Sequence, residues 1–100
     1  MWKSWLRSLL AAPPSDLESF RPRQGEVWLR CTHPQCTHCQ DFEAEGRMAK
    51  FEADKLNIVK WDCSQQKERS IAKQAGVGDL PAYVRVPSGS DPIRVVNPQR

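Results

Sequence analysis

The sequence predicts an α/β domain in which helices flank a mixed four-stranded sheet. Three observations lead there. Stretches of strand length and strand character lie at 26–30, 57–63, 82–86 and 93–96. A long amphipathic segment joins the first two, so these pair in parallel through a right-handed crossover. The last two flank Pro87-Ser88-Gly89-Ser90-Asp91, a hairpin turn, and pair antiparallel.

One hundred residues of 39% apolar composition make one small domain with a thin core. No apolar run approaches the roughly 20 residues that span a membrane. A net charge of +3, spread along the chain, gives no basis for nucleic-acid binding.

The elements follow in order. Trp2, Trp5, Leu6, Leu9 and Leu10 share one face of an amphipathic helix over 2–12, which Pro13 and Pro14 end. Such a helix packs on its own domain or contacts a membrane surface or a partner. Ser15-Asp16-Leu17-Glu18 is a capping box that opens a short helix over 16–21. Residues 1–25 form an N-terminal extension and linker, 26–97 the domain, and 98–100 a tail. Val27-Trp28-Leu29 is a continuous apolar run, as in a strand covered on both faces. A loop over 32–35 follows.

A long helix begins at Cys36 or Thr37 and runs to about Lys55. Its core stripe is Cys39, Phe42, Gly46, Ala49, Ala53 and Leu56, with Met48 and Phe51 as a second apolar edge. Gly46 weakens that helix by about 1 kcal/mol relative to Ala. Ser64 caps a third helix over 65–75, and Gly76 sits at its left-handed end. Residues 77–81 are a loop. Trp28 and Trp61 are core residues.

The chemistry concentrates in one place. Three of the four cysteines, Cys31, Cys36 and Cys39, and both histidines, His33 and His38, lie within C-T-H-P-Q-C-T-H-C. Cys36-Thr37-His38-Cys39 follows a strand and a loop and opens a helix, the context of a redox C-x-x-C. Unpaired N–H groups at the helix start favour a thiolate at Cys36. Cys39 lies one turn on, on the same face, within reach of a short-loop disulfide. Cys36 is then the attacking sulfur and Cys39 the resolving one.

These residues, with Gly78-Asp79-Leu80-Pro81-Ala82-Tyr83 and the turn Ser88-Gly89, resemble the thioredoxin superfamily over residues 26–96. The resemblance implies a thioredoxin-like fold and thiol–disulfide oxidoreductase activity. It implies a cis Pro81 beside the active-site sulfurs, with Leu80 and Pro81 shaping the groove for an extended substrate. It also implies that His38, in the third place of the motif, tunes the potential toward oxidants or isomerases, because an imidazolium beside a thiolate stabilises the reduced form.

Three departures stand out. Gln35 occupies a place where the family carries an aromatic. Arg30 occupies the place of a buried carboxylate, the usual proton acceptor for the resolving thiol, which leaves Asp62 or Glu26 for that role. Only four residues follow Val96, so the closing C-terminal helix is missing, and one sheet face is exposed or covered by the N-terminal helix or a partner.

Two other classes compete. Cys31, Cys36, Cys39 and Cys63 have the spacing style of iron–sulfur ligation, and could also hold zinc, alone or with His33 or His38. A thioredoxin-like module without turnover would serve as an interaction domain. Cys31 and Cys63 end neighbouring strands, either as a disulfide or as two buried free thiols. No nucleotide or flavin motif is present, so no cofactor is expected. Partners are protein or small-molecule thiols and disulfides, with an upstream reductase or oxidase. No secretion signal is visible, which points to the cytoplasm. The Cys-Thr-His-Cys motif points instead to a periplasm or another oxidising compartment.

Overall fold

The computed structural model of the protein describes residues 16–98. The helix expected over 2–12 lies outside the described residues.

Asp16–Phe20 forms a 3-10 helix, not an α-helix. Its length explains this: five residues close few i→i−4 bonds, and the tighter i→i+3 pattern serves instead, as in the bond from Arg21 N–H to the Glu18 carbonyl at 3.2 Å. Leu17 is buried, and Phe20 meets Trp61 edge-on with ring centroids 5.3 Å apart. Arg21 donates to the carbonyls of Pro87 at 3.0 Å and Asp91 at 2.9 Å. Residues 16–21, placed by the sequence in an extension, thus pack on the sheet and its hairpin.

The strands are β1 (Glu26–Thr32), β2 (Ile58–Asp62), β3 (Ala82–Pro87) and β4 (Arg94–Val96). Their order is β2-β1-β3-β4. β1 pairs in parallel with β2 (Leu29 opposite Val59) and antiparallel with β3 (Leu29 opposite Val84). β3 and β4 form the antiparallel hairpin. The mixed four-stranded sheet is therefore as the sequence predicts. β1 runs two residues further than expected, because Cys31 and Thr32 still find partners in Trp61 and Asp62.

Period-two alternation splits the apolar run of β1 between two cores. Leu29 and Cys31 join Trp61, Cys63, Ala82, Val84 and Val86 beneath the 3-10 helix and helix α3 (Gln66–Ala75). Trp28 joins Tyr83, Phe42 and Met48 beneath helices α1 (Thr37–Ala44) and α2 (Arg47–Glu52). Phe51 stacks on Tyr83 at 4.3 Å and meets Trp28 edge-on at 5.6 Å. Both Trp28 and Trp61 are buried, as expected of core residues.

The single long helix expected between β1 and β2 is two. Gly46 takes a left-handed backbone, φ 73°, which an L-residue adopts only at a cost of about 1–2 kcal/mol. Its N–H closes on the Glu43 carbonyl at 3.1 Å and its own carbonyl accepts Lys50 N–H at 3.0 Å, so it ends one helix and starts the next. The break resets the helical phase. Cys39 and Phe42 stay inward, but Met48 takes over the inward position, and Ala49, Ala53 and Leu56 face out. A Cβ on Gly46 would meet no atom within 4 Å, so its role is conformational and not one of close approach.

Ser64 does not cap α3. Its N–H and hydroxyl both donate to Asp62 Oδ1, at 2.9 and 2.7 Å, in a turn closed on Asp62. Gln65 takes the N-cap position without a side-chain bond. Gly76, φ 105°, ends the helix as expected.

Candidate active site

The loop between β1 and α1 sets the geometry. Cys36 N–H donates to the His33 carbonyl at 2.9 Å, and Gln35 N–H donates to His33 Nδ1 at 3.0 Å. These bonds turn the chain so that Cys36 becomes the N-cap of α1, with extended backbone at φ −81° and ψ 110°. A cap side chain that carries an acceptor satisfies one of the helix's unpaired N–H groups. Here the acceptor is sulfur: Cys39 N–H donates to Cys36 Sγ at 3.1 Å.

The two sulfurs have different surroundings. Cys36 is half-buried, whereas Cys39 is 5% exposed. Burial, with the hydrogen bond to Cys36, pushes the Cys39 thiol up to about 12, against an opposing bond from the His33 backbone. Cys39 therefore holds its proton at neutral pH. His38 is exposed on the first turn of α1.

The loop before β3 approaches from the other side. The Leu80–Pro81 peptide bond is cis and Pro81 is fully buried. Cys36 Sγ donates to the Leu80 carbonyl at 3.8 Å. Cys36, Cys39, Leu80 and Pro81, singled out separately in the sequence, thus converge on one spot. Asn97 holds this loop, since its Nδ2 donates to the carbonyls of Asp79 at 3.3 Å and Pro81 at 3.2 Å. Sequence reasoning missed Asn97, and an Asn after the last strand carries no signal that could have found it.

A polar cavity of about 310 Å³ opens beside Cys39, lined among others by Arg30, His33, Glu43, Lys60 and Asp62. Arg30 lies 3.5 Å from Glu52 and 3.6 Å from Glu43, on the sheet face that carries α1 and α2. An ion-paired cation thus stands where the family resemblance called for a carboxylate. Of the two carboxylates left for that role, Asp62 lines the cavity. Its hydrogen bonds from Ser64 hold it below the usual carboxylate range. Glu26 is elsewhere, at the opposite end of β1. It bonds Arg85 at 2.8 Å and the Trp28 indole, and Arg85 holds its carboxyl low.

The four cysteines do not form one ligand set. Cys36 and Cys39 lie at the start of α1, while Cys31 and Cys63 lie in the core under α3. Among the described residues, no group of three or more His, Cys, Asp or Glu side chains is placed to hold a metal ion.

A pH dependence follows from Cys39. Its thiol sits at about 12 in the folded chain against 9.0 in an unfolded one. The unfolded chain sheds that proton first, so the stability present below pH 9 is lost as pH rises toward 12. Urea midpoints of the reduced protein are expected to fall through this window. They should fall less steeply in Cys39→Ala.

No family model and no curated protein matches the chain. Among solved structures it is similar to one described as the crystal structure of the J-Trx1 fragment of ERdj5, at 24% sequence identity and a TM-score of 0.54. The likeness covers 73% of this chain and 34% of that one, so this chain spans about a third of that structure. With the β2-β1-β3-β4 mixed sheet and the helix that opens on Cys36, this makes the fold thioredoxin-like.

Proposed function

We propose that the protein is a thiol–disulfide oxidoreductase working at Cys36 and Cys39 on protein or small-molecule disulfides. The observation that carries this is the asymmetry of the two sulfurs. One is reachable and receives a backbone N–H; the other is buried one turn behind it with its proton held.

In the reducing direction, Cys36 attacks one sulfur of the substrate disulfide. That S–S bond breaks, the first substrate thiol leaves, and a mixed disulfide remains on Cys36. Cys39 then loses its proton to water in the polar cavity and attacks Cys36 Sγ. The second substrate thiol leaves. Two electrons and two protons have passed to the substrate, and Cys36 and Cys39 are joined. The Leu80–Pro81 backbone borders the path of an extended substrate, as expected of a β-strand docking edge. His38, exposed on the same helix turn, tunes the potential of the pair. The electrons are replaced by, or in the oxidising direction delivered to, another thiol system.

A trapping experiment tests the order of attack. Cys39→Ser, reduced and mixed with an oxidised peptide, is expected to accumulate a covalent adduct at Cys36 that dithiothreitol releases. Cys36→Ser is expected to form none. Equal adducts at both positions, or none in either variant, would refute the assignment of roles. A docking module without turnover would bind the peptide in both variants and form no adduct.

A further inference from the structure

The end of β4 reaches back to the Leu80–Pro81 edge. Pairing of β3 with β4 stops at Tyr83 opposite Val96. Beyond that pair lie Pro81 on one strand and Pro98 on the other, and neither has an N–H to extend the ladder. Asn97, the first residue past the pair, supplies donors from its side chain instead. An amide nitrogen carries two N–H groups. Asn97 Nδ2 donates to the Asp79 carbonyl at 3.3 Å and to the Pro81 carbonyl at 3.2 Å.

Those two carbonyls flank a third. The Leu80 carbonyl, between them, accepts the Cys36 thiol at 3.8 Å. Three consecutive carbonyls are thus divided: the outer two are tied to the end of β4, and the middle one faces the attacking sulfur. Gly78 and Asp79 are exposed and Leu80 is only half-buried, so packing does little to fix this stretch. The hydrogen bonds of Asn97 go to neither sulfur and reach the site only through the loop.

We propose that Asn97 is a positioning residue that favours extended polypeptide disulfides over small ones. This rests on the redox reading of Cys36 and Cys39, with the Leu80–Pro81 backbone as the edge on which a substrate strand lies. A strand pairs with an edge only where the edge's polar groups match its own in spacing and direction, because hydrogen bonds weaken steeply with angle. With both outer carbonyls pinned, the Leu80 carbonyl keeps its place beside Cys36, and a peptide paired there brings its disulfide to that sulfur. A small disulfide without a peptide backbone makes no use of the edge and meets Cys36 directly. Loss of the clamp therefore weakens peptide binding and leaves the exchange step itself intact.

The test sets a disulfide-bonded peptide against hydroxyethyl disulfide, which has no amide, in the wild type, Asn97→Ala and Asn97→Asp. Ionised aspartate keeps the shape of asparagine but has only acceptors, so it preserves the volume and removes both donors. Both variants are expected to raise KM for the peptide by about 10-fold, the worth of one or two hydrogen bonds. Peptide kcat should stay nearly unchanged, and hydroxyethyl disulfide should be reduced at the wild-type kcat/KM. An unchanged peptide KM in either variant overturns the proposal. So does a loss shared equally by both substrates, which would make Asn97 a support of the fold alone. If the wild type reduces neither substrate, the proposed function has failed on its own. Titration of the reduced peptide against Cys36→Ser, with and without Asn97→Ala, then decides the clamp. Binding weaker by about 10-fold without Asn97 supports it, and equal binding, or none in either chain, overturns it.

Discussion

Cys36→Ser is expected to lower the rate of disulfide reduction by about 10³-fold or more, on the order of 4 kcal/mol of barrier. The thiolate is the nucleophile in exchange, and a serine hydroxyl does not replace it. Neither can Cys39 from its buried place, with its proton held up to about 12. The substitution is also gentle on the fold. Serine is a preferred N-cap residue, and its hydroxyl oxygen can accept the Cys39 N–H that Cys36 Sγ now receives. The loss should therefore appear in turnover with circular dichroism and the unfolding midpoint nearly unchanged. A variant that keeps its rate would place the chemistry at another sulfur.

Leu29→Ala is the largest stability effect expected, a loss of about 2–5 kcal/mol. Leu29 is fully buried in the central strand, between Val59 of β2 and Val84 of β3. Strand neighbours on both sides limit how far the backbone can collapse into the void. Small domains are stable by only about 5–15 kcal/mol in all, so the midpoint of thermal unfolding should drop by roughly 4–8 °C per kcal/mol lost. Leu56→Ala is the control. Leu56 is 96% exposed, and its removal should change stability by no more than about 0.5 kcal/mol. A comparable loss in both variants would mean that the core is not where the sheet places it.

The contrast between these two leucines shows what was legible in the sequence. Val27-Trp28-Leu29 announces a strand covered on both faces, because no amphipathic period fits it. The sheet order follows from which connections are long and which are tight. The meeting of Cys36, Cys39, Leu80 and Pro81 was legible for a similar reason: each sits at or beside the end of a regular element, and the topology brings those ends together. Leu56 was misplaced because its position was counted along one unbroken helix. A glycine in a helical pattern can either continue the helix or leave it, and local sequence does not decide between them. At Gly46 the packing of Met48 and Phe51 against Trp28 and Tyr83 decides it. Ser64 failed as a cap because Asp62, two residues earlier, takes its hydroxyl. The cavity beside Cys39 was hidden for the same kind of reason. It is assembled from β1, β2 and α1, and Arg30 turns out to be paired within it.

The most direct measurement is an equilibrium redox titration of the full chain in glutathione buffers, quenched, alkylated and mapped by mass. The expected result is a Cys36–Cys39 disulfide that forms and disappears over one two-electron transition, with a midpoint within the roughly −270 to −120 mV spanned by dithiol oxidoreductases. Cys36 and Cys39 that both stay alkylated at every poise, in a chain that is folded, would contradict the redox function outright.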